Sequence, residues 1–593
     1  MFKNAFRTAA TVAILATMVV ALLPTNFALA GDAEFTYVAQ YRQDVPVTRD
    51  TASTSEISTL DPAVASDSVS ITPIENLFLG LTNYDPITGN VVSELAILPD
   101  DVTELVSEDG LTWTFTLRDD VMWMRYDPAS GEATEIRPVV ASDFVYGIKR
   151  ACDPRLGGYY GTVAAKVIAG CDVVNLSDPE EVTDELVFGD TIQVSAPDDT
   201  TVVITLQFPA SYFFSMTPMW MLRPVPQETI EEFGDDWTQP GNIVTNGPYF
   251  VAENTRGVRR TFVRNEALPA DLFSGDGNIE VINQPLIEDG GTIFALYQDN
   301  QLDSTGVPTA ELQAILNDPE YADQLLQVFD LAVFYFAFAH DKPPFDNVHA
   351  RRAFSAVIDR EAFVSQIRQN RGVPMIHFTP PGMAYAPPIN EIGVGFNPDY
   401  AREQIELAGY PNCEGFPNVE IATYQGAGTW AEFWAAGAEE HLGCDPGIFQ
   451  VEQLEFSVLL EVIDASTPTQ DRPNAWTLGW GPDYGDANNW VNDVLSCTAD
   501  NAFLRPCTEI DDLIDEAARE ADPNRRAELY AEIEEGFFGP EGEHPIAPIF
   551  LRSDYVLVKP WYTGPFETDG LFGGAHWGAF SIDMAAKLAA RGE

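Results

Sequence analysis

Large apolar residues fall at every second position in Leu111-Thr-Trp-Thr-Phe-Thr-Leu117, which predicts a half-buried strand. Asp109-Gly110 ahead of it is a turn signal. Thr201-Val-Val-Ile-Thr-Leu-Gln-Phe208 predicts a second strand, ended by Pro209. Helical spacing is equally plain. Ile510, Leu513, Ile514, Ala517 and Ala521 share one face, Asp522-Pro523 interrupts it, and Leu529, Ile533 and Phe537 resume it. Residues 400–409 read as a short helix closed by Gly409, with Pro411 beyond. Strand-like and helix-like segments alternate along the chain without internal repeats, which predicts a mixed α/β architecture. The apolar stripes are core positions in this reading.

The first thirty residues follow another pattern. Lys3 and Arg7 precede an uncharged, mostly apolar run from Ala9 to Leu23, then Pro24 and the small-residue ending Ala28-Leu29-Ala30. This predicts a secretory signal peptide over 1–30, cleaved near Ala30. The run falls short of the roughly 20 residues a membrane helix needs. With no Cys near the cleavage point, no lipid-anchor acceptor is expected, and the mature chain should be exported and soluble.

The 593-residue chain is long enough for several domains, and its 45% hydrophobic content can fill large cores. It carries 32 Lys+Arg against 91 Asp+Glu, a formal net charge of −59. Such a surface argues against nucleic acid and against docking on anionic lipid, both of which require dense positive charge. Six cysteines in an exported chain favour disulfides among Cys152, Cys171, Cys413, Cys444, Cys497 and Cys507. Many connectivities are open to them; pairing nearest neighbours in the sequence is the most economical. No CxxC or HExxH occurs, so no metal is expected. GxSxG, the Walker phosphate loop and GxGxxG after a strand are also absent. With so many carboxylates, any glycosidase-like pair is uninformative. An exported binding protein that performs no catalysis and holds no cofactor is the expectation.

Several segments, in order, resemble the extracytoplasmic solute-binding proteins of ABC importers, in the peptide/nickel-binding group (solute-binding protein family 5). They include Leu60-Asp-Pro62, Asn76-Leu-Phe-Leu-Gly-Leu-Thr-Asn-Tyr-Asp-Pro86 and Asp109-Gly-Leu-Thr-Trp-Thr-Phe115. Ser142-Asp-Phe-Val-Tyr146 with Lys149-Arg150, Asn246-Gly-Pro-Tyr249 and Val348-His-Ala-Arg-Arg-Ala-Phe354 with Asp359-Arg360 follow. The series closes with Gly479-Trp-Gly-Pro-Asp-Tyr484 and Val558-Lys-Pro-Trp561. Phe233-Gly-Asp-Asp-Trp-Thr-Gln-Pro240 looks like the oligopeptide-binding branch. Most of these motifs are read as architectural, Asp359-Arg360 as an ion pair beside a helix.

The resemblance implies a two-lobed, periplasmic-binding-protein-like fold (type II, three-domain cluster C) with a hinge and a central ligand cleft. Lobe I would comprise 31–78, 206–330 and 551–593, an extra domain 79–205, and lobe II 331–550. It also implies a monomer that hands a small solute, a peptide above all, to an ABC permease heterodimer with a separate ATPase. Asp483 would meet the ligand's α-ammonium, because a dry cleft needs a fixed carboxylate for a buried ammonium. Trp480 would cover ligand side chains, with Gly481 and Tyr484 beside it. Ser66, Asp67 and Ser68 would form an edge that pairs with the peptide backbone. Tyr160 would line the cleft, with Tyr159 as the register alternative. Two departures from the family pattern matter. A longer stretch, Met124 to Arg137, replaces a short turn, and Arg472 is the only cation between Glu461 and Trp480 to meet a ligand carboxylate. The same fold with an oligosaccharide is the alternative ligand reading, and a secreted glycoside hydrolase the remote one.

Overall fold

The computed structural model describes residues 45–499, 503–571 and 574–593. The expected signal peptide and its cleavage point lie outside the described residues. The alternating segment forms the strand Thr112–Thr116, with Trp113 and Phe115 buried and Thr114 and Thr116 exposed. It pairs antiparallel with Thr201–Thr205, which pairs in turn with Val194–Asp198. The two expected C-terminal helices are Glu509–Arg519 and Pro523–Phe538, separated where Asp522 caps the second with Pro523 in its first turn. Residues Pro398–Leu407 form the short helix before Gly409.

The stretch that departs from the family pattern is a hairpin. Met122–Asp127 pairs with Glu132–Pro138 around a turn that places Gly131 at φ +75°, which glycine tolerates.

A seven-stranded sheet organises the molecule. Its order is Ser304–Gly306, Ile546–Val558, Leu325–Phe338, Ala475–Trp480, Val419–Tyr424 and Phe449–Leu454, with Val373–Pro374 also on Ile546–Val558. Two of these strands are unusually long, 14 and 13 residues, and run antiparallel to each other. Their ladder is regular from Leu325↔Leu557 to Phe329↔Ser553, breaks, and resumes at Val333↔Leu551. One end carries Leu557, packed in a small core with Ile293, Phe294 and Tyr297. The other end carries Val333 and Leu551, packed with Trp476, Trp490 and Phe537. A separate large core gathers residues from Leu60 to Ile282 and from Val558 to Ile582. The two strands therefore join distinct apolar cores through the interrupted stretch Asp330-Leu331-Ala332, with a second register shift just beyond it between Phe334 and Tyr335.

The motif residues tie segments together. Arg150 donates to both carboxylate oxygens of Asp61 at 3.0 and 2.8 Å, both residues buried. The Asn246 side-chain oxygen accepts from the Leu79 amide at 2.9 Å. Asp359 and Arg360 do not form the expected ion pair. Asp359 caps the next helical turn through the Ala362 amide at 2.9 Å, while the buried Arg360 donates to the Pro548 carbonyl at 2.7 Å. A carboxylate is a good N-cap acceptor, and a buried guanidinium needs several carbonyls, so each finds a backbone partner instead.

All six cysteines are joined, Cys152–Cys171, Cys413–Cys444 and Cys497–Cys507. Each bridge closes a local loop of 10 to 31 residues. No helix of the described residues is long and apolar enough to cross a membrane.

Candidate functional site

A cavity of about 620 Å³ opens beside the end of the strand Ala475–Trp480, next to the interrupted stretch 330–332 of the long-strand ladder. Its wall includes Ser66, Ser68, Tyr160, Trp480, Gly481 and Asp483 among the residues singled out in the sequence. Asp67 and Tyr484 do not line it. The Asp67 carboxylate caps the helix Ser68–Leu77 through the Ser70 amide at 2.9 Å. Tyr484 is buried, donates to Asp493 at 2.7 Å, and borders a separate pocket of about 220 Å³.

Two glycines let this wall form. A Cβ at Gly479 would lie 2.8 Å from the Phe334 ring on the neighbouring strand, so only glycine lets that ring cross the sheet toward the cavity. A Cβ at Gly158 would lie 2.1 Å from the Ala63 carbonyl oxygen. Its absence lets the loop bearing Tyr160 close on the segment leading to Ser66. The Tyr160 ring stands edge-on to Trp220 at 4.5 Å, and the Trp220 indole N–H donates to the Ala65 carbonyl at 3.0 Å. Ser66 is exposed, and its backbone makes no hydrogen bond among the described residues.

Asp483 is the chemical centre. Its Oδ1 accepts from the Tyr160 hydroxyl at 2.7 Å and its Oδ2 from the Asn489 amide at 3.3 Å. The Asn489 side-chain oxygen in turn accepts from the Asp483 backbone N–H at 2.9 Å and from the Trp480 indole at 3.3 Å. Burial lifts the Asp483 carboxyl to a pKa of about 6, against the lowering effect of the Tyr160 hydrogen bond; nearby Asp493 adds to the rise. Burial, then Asp483 itself, raises Tyr160 as well. Among the described residues Asp483 has neutral hydrogen-bond donors and no ion pair.

A profile of the bacterial extracellular solute-binding proteins, family 5 (middle region), matches residues 96–502. The chain belongs to this family. Its members bind solutes and are not enzymes, which sets the glycoside hydrolase reading aside. The periplasmic oligopeptide-binding protein OppA of Escherichia coli is 26% identical over 572 residues, covering 94% of this chain and 97% of the relative. The structure of OppA from Burkholderia pseudomallei superposes with a TM-score of 0.67 at 25% identity, covering 91% of this chain and 99% of that one. Haemophilus influenzae OppA in complex with the peptide RPPGFSPFR gives a TM-score of 0.66 at 24% identity, covering 91% and 99%. The fold of this family 5 protein is the two-lobed, periplasmic-binding-protein-like α/β architecture.

The family 5 cavity also holds residues that the sequence pattern left unmarked. Asp330, Phe334, Tyr424, Phe456 and Arg552 line it. A signal for two of them exists in hindsight: Asp330 and Arg552 are charges set inside long apolar runs. Asn489 carried no signal, because its role arises from a turn that folds it back under Trp480. Arg472, the cation weighed in the sequence, does not reach the cavity; it is buried against Asp341 at 3.2 Å and over the Trp476 ring.

Proposed function

We propose that this chain captures oligopeptides outside the cytoplasm and releases them, chemically unaltered, to an ABC permease heterodimer with a separate ATPase. Asp483 receives the peptide's α-ammonium, Trp480 covers a ligand side chain, and the extended backbone at Ser66 and Asp67 pairs with the peptide main chain, just ahead of the helix that starts at Ser68. The observation that carries this reading is the Asp483 carboxylate in the cavity wall, hydrogen-bonded by neutral donors and in no ion pair among the described residues, Lys166 acting on it only as the last of several influences. A ligand ammonium completes it, and such a charge-assisted bond contributes about 1.5–3 kcal/mol.

In the same reading, segments 31–78, 206–330 and 551–593 form one lobe, 331–550 the other, and 79–205 the extra domain. The separate cores and the interrupted ladder at 330–332 support a hinge there. The chain is exported by a signal cleaved near Ala30, carries no lipid anchor and acts as a monomer. The periplasmic relatives and the patterned first thirty residues support the export.

Thermal-shift and calorimetric screens of peptides beside oligosaccharides test the proposal. Peptides should raise the melting temperature and titrate with one site. A response to oligosaccharides alone would overturn it.

A further inference from the structure

A second carboxylate stands behind the Asp483 wall. Asn489 is fully buried, and its one NH2 group donates both to Asp483 Oδ2 at 3.3 Å and to Asp493 Oδ2 at 3.0 Å. Its side-chain oxygen accepts from the Asp483 N–H and from the Trp480 indole. An ionised carboxylate only accepts and an N–H only donates, so these partners dictate which way the Asn489 amide points. One side chain thus fixes both the carboxylate and the ring that face the cavity.

Asp493 is held in turn. Its Oδ2 also accepts from the Tyr484 hydroxyl at 2.7 Å, and its Oδ1 lies 3.6 Å from the Lys166 ammonium. Tyr160 and Lys166 flank the short helix Gly161–Ala165, so that one helix meets both acids, Tyr160 at Asp483 and Lys166 at Asp493. The Cys152–Cys171 bridge closes the loop that carries it. Neither Asp493 nor Lys166 lines the cavity, so each acts on a ligand only through Asp483 and Asn489.

The charges follow this geometry. Asp493 disfavours the ionised form of Asp483 and Lys166 favours it. The other titratable or charged groups around Asp483 are the phenols of Tyr160 and Tyr484 and, in the same cavity wall, Asp330 and Arg552, which pair with each other.

We propose that Asp493 and Lys166 are positioning residues of the ammonium site: acting through Asn489, they hold Asp483 and Trp480 in one arrangement and set the charge that Asp483 presents to a ligand. This rests on the peptide-binding reading. It makes the strength of that site depend on an ion pair outside the cavity, between the helix Gly161–Ala165 and the segment after Trp480.

Calorimetry on the purified mature protein, with alanine peptides of two to five residues as probes, tests this between pH 5 and pH 7, where a peptide's α-amino group stays largely protonated. The wild type should bind about tenfold more tightly at pH 7 than at pH 5. Asp493→Asn keeps an acceptor oxygen for Tyr484 and Asn489 but loses the charge; its pH 7 to pH 5 ratio should shrink at least about twofold. In Lys166→Gln the ratio should grow. A merely structural role would weaken binding alike at both pH values and leave the ratio where it was. Lys166 is 44% exposed, so its substitution spares the core, and its ratio decides the matter even if Asp493→Asn does not fold. Peptide binding with the wild-type ratio in Lys166→Gln, or a ratio that moves the same way in both variants, overturns this inference alone. Failure of the wild type to bind any peptide overturns the peptide-binding reading and this inference with it.

Discussion

The cavity carboxylate Asp483 titrates near pH 6 because burial disfavours its charged form. Only the ionised form pairs with an ammonium. Peptide affinity should therefore be fullest above pH 6 and fall as pH drops through it, by roughly tenfold between pH 7 and pH 5. Calorimetry across that range checks this. Asp483→Asn should bind at least about tenfold more weakly at pH 7, which is about 1.4 kcal/mol, and show a flat profile over the same range. Unchanged affinity in that variant would remove Asp483 from the site. Tyr160 shows how far single residues were legible. Gly157-Gly-Tyr-Tyr-Gly161 announced a tight loop with a phenol, yet nothing local chose between the two tyrosines. The structure turns Tyr160 to Asp483 and leaves Tyr159 62% exposed. That choice comes from the close approach of Gly158 to Ala63, a contact between distant segments.

Strands and helices followed their periodicity where one face is buried. Thr112–Thr116 and the pair of helices at 509–538 match the expected segments because alternation and helical spacing each satisfy a single core. Residues 66–68 behaved otherwise. An edge was expected; Asp67 keeps extended backbone (φ −124°, ψ 148°) but caps a helix that begins at Ser68, so the extended stretch ends there. The capping power of an Asp side chain decided that boundary. The strand Ala475–Trp480 offers a direct test. Gly479→Ala would press a methyl group against Phe334, which is stacked on Phe550 at 5.2 Å and has little room to yield. A loss of about 1–3 kcal/mol is expected in urea unfolding. Gly481→Ala, whose new methyl would sit 3.8 Å from the nearest atom, should be close to neutral. Equal effects of the two substitutions would show that the ring contact is not limiting.

Across the whole molecule, a formal charge of −59 acts against compactness through self-repulsion. Salt screens that repulsion, with a Debye length of about 10 Å at 0.1 M. The melting temperature should rise when NaCl is increased from low to moderate concentration; a fall would show that ion pairs such as Arg150–Asp61 dominate instead. Contacts also run between the N-terminal half and the segment after Trp480. The Gly485 N–H donates to the Tyr84 hydroxyl at 2.8 Å, Tyr212 stacks on Tyr484 at 5.7 Å, and the Ser211 N–H donates to the Ala518 carbonyl at 3.0 Å. Tyr212, Tyr484 and Ala518 border the separate pocket of about 220 Å³ rather than the cavity beside Asp483. A peptide at a hundredfold excess over its dissociation constant should add about 2.7 kcal/mol of apparent stability, readable as a shifted denaturant midpoint.

Sequence by itself determined the α/β class, the individual elements with one clear apolar face, and the segment at 479–484 that supplies Trp480 and Asp483 to the cavity. The first two depend on local periodicity and on turn residues that neighbours in the chain dictate; the third was legible only through the resemblance of Gly479-Trp-Gly-Pro-Asp-Tyr484 to the family motif. The local cysteine bridges also follow the nearest-neighbour expectation. Tertiary structure alone decided that Tyr160 meets Asp483, through the close approach of Gly158 to Ala63, and that Asp330 and Arg552 share the cavity wall. The second outcome depends on register between strands some two hundred residues apart in sequence, and no local pattern encodes where a ladder will break.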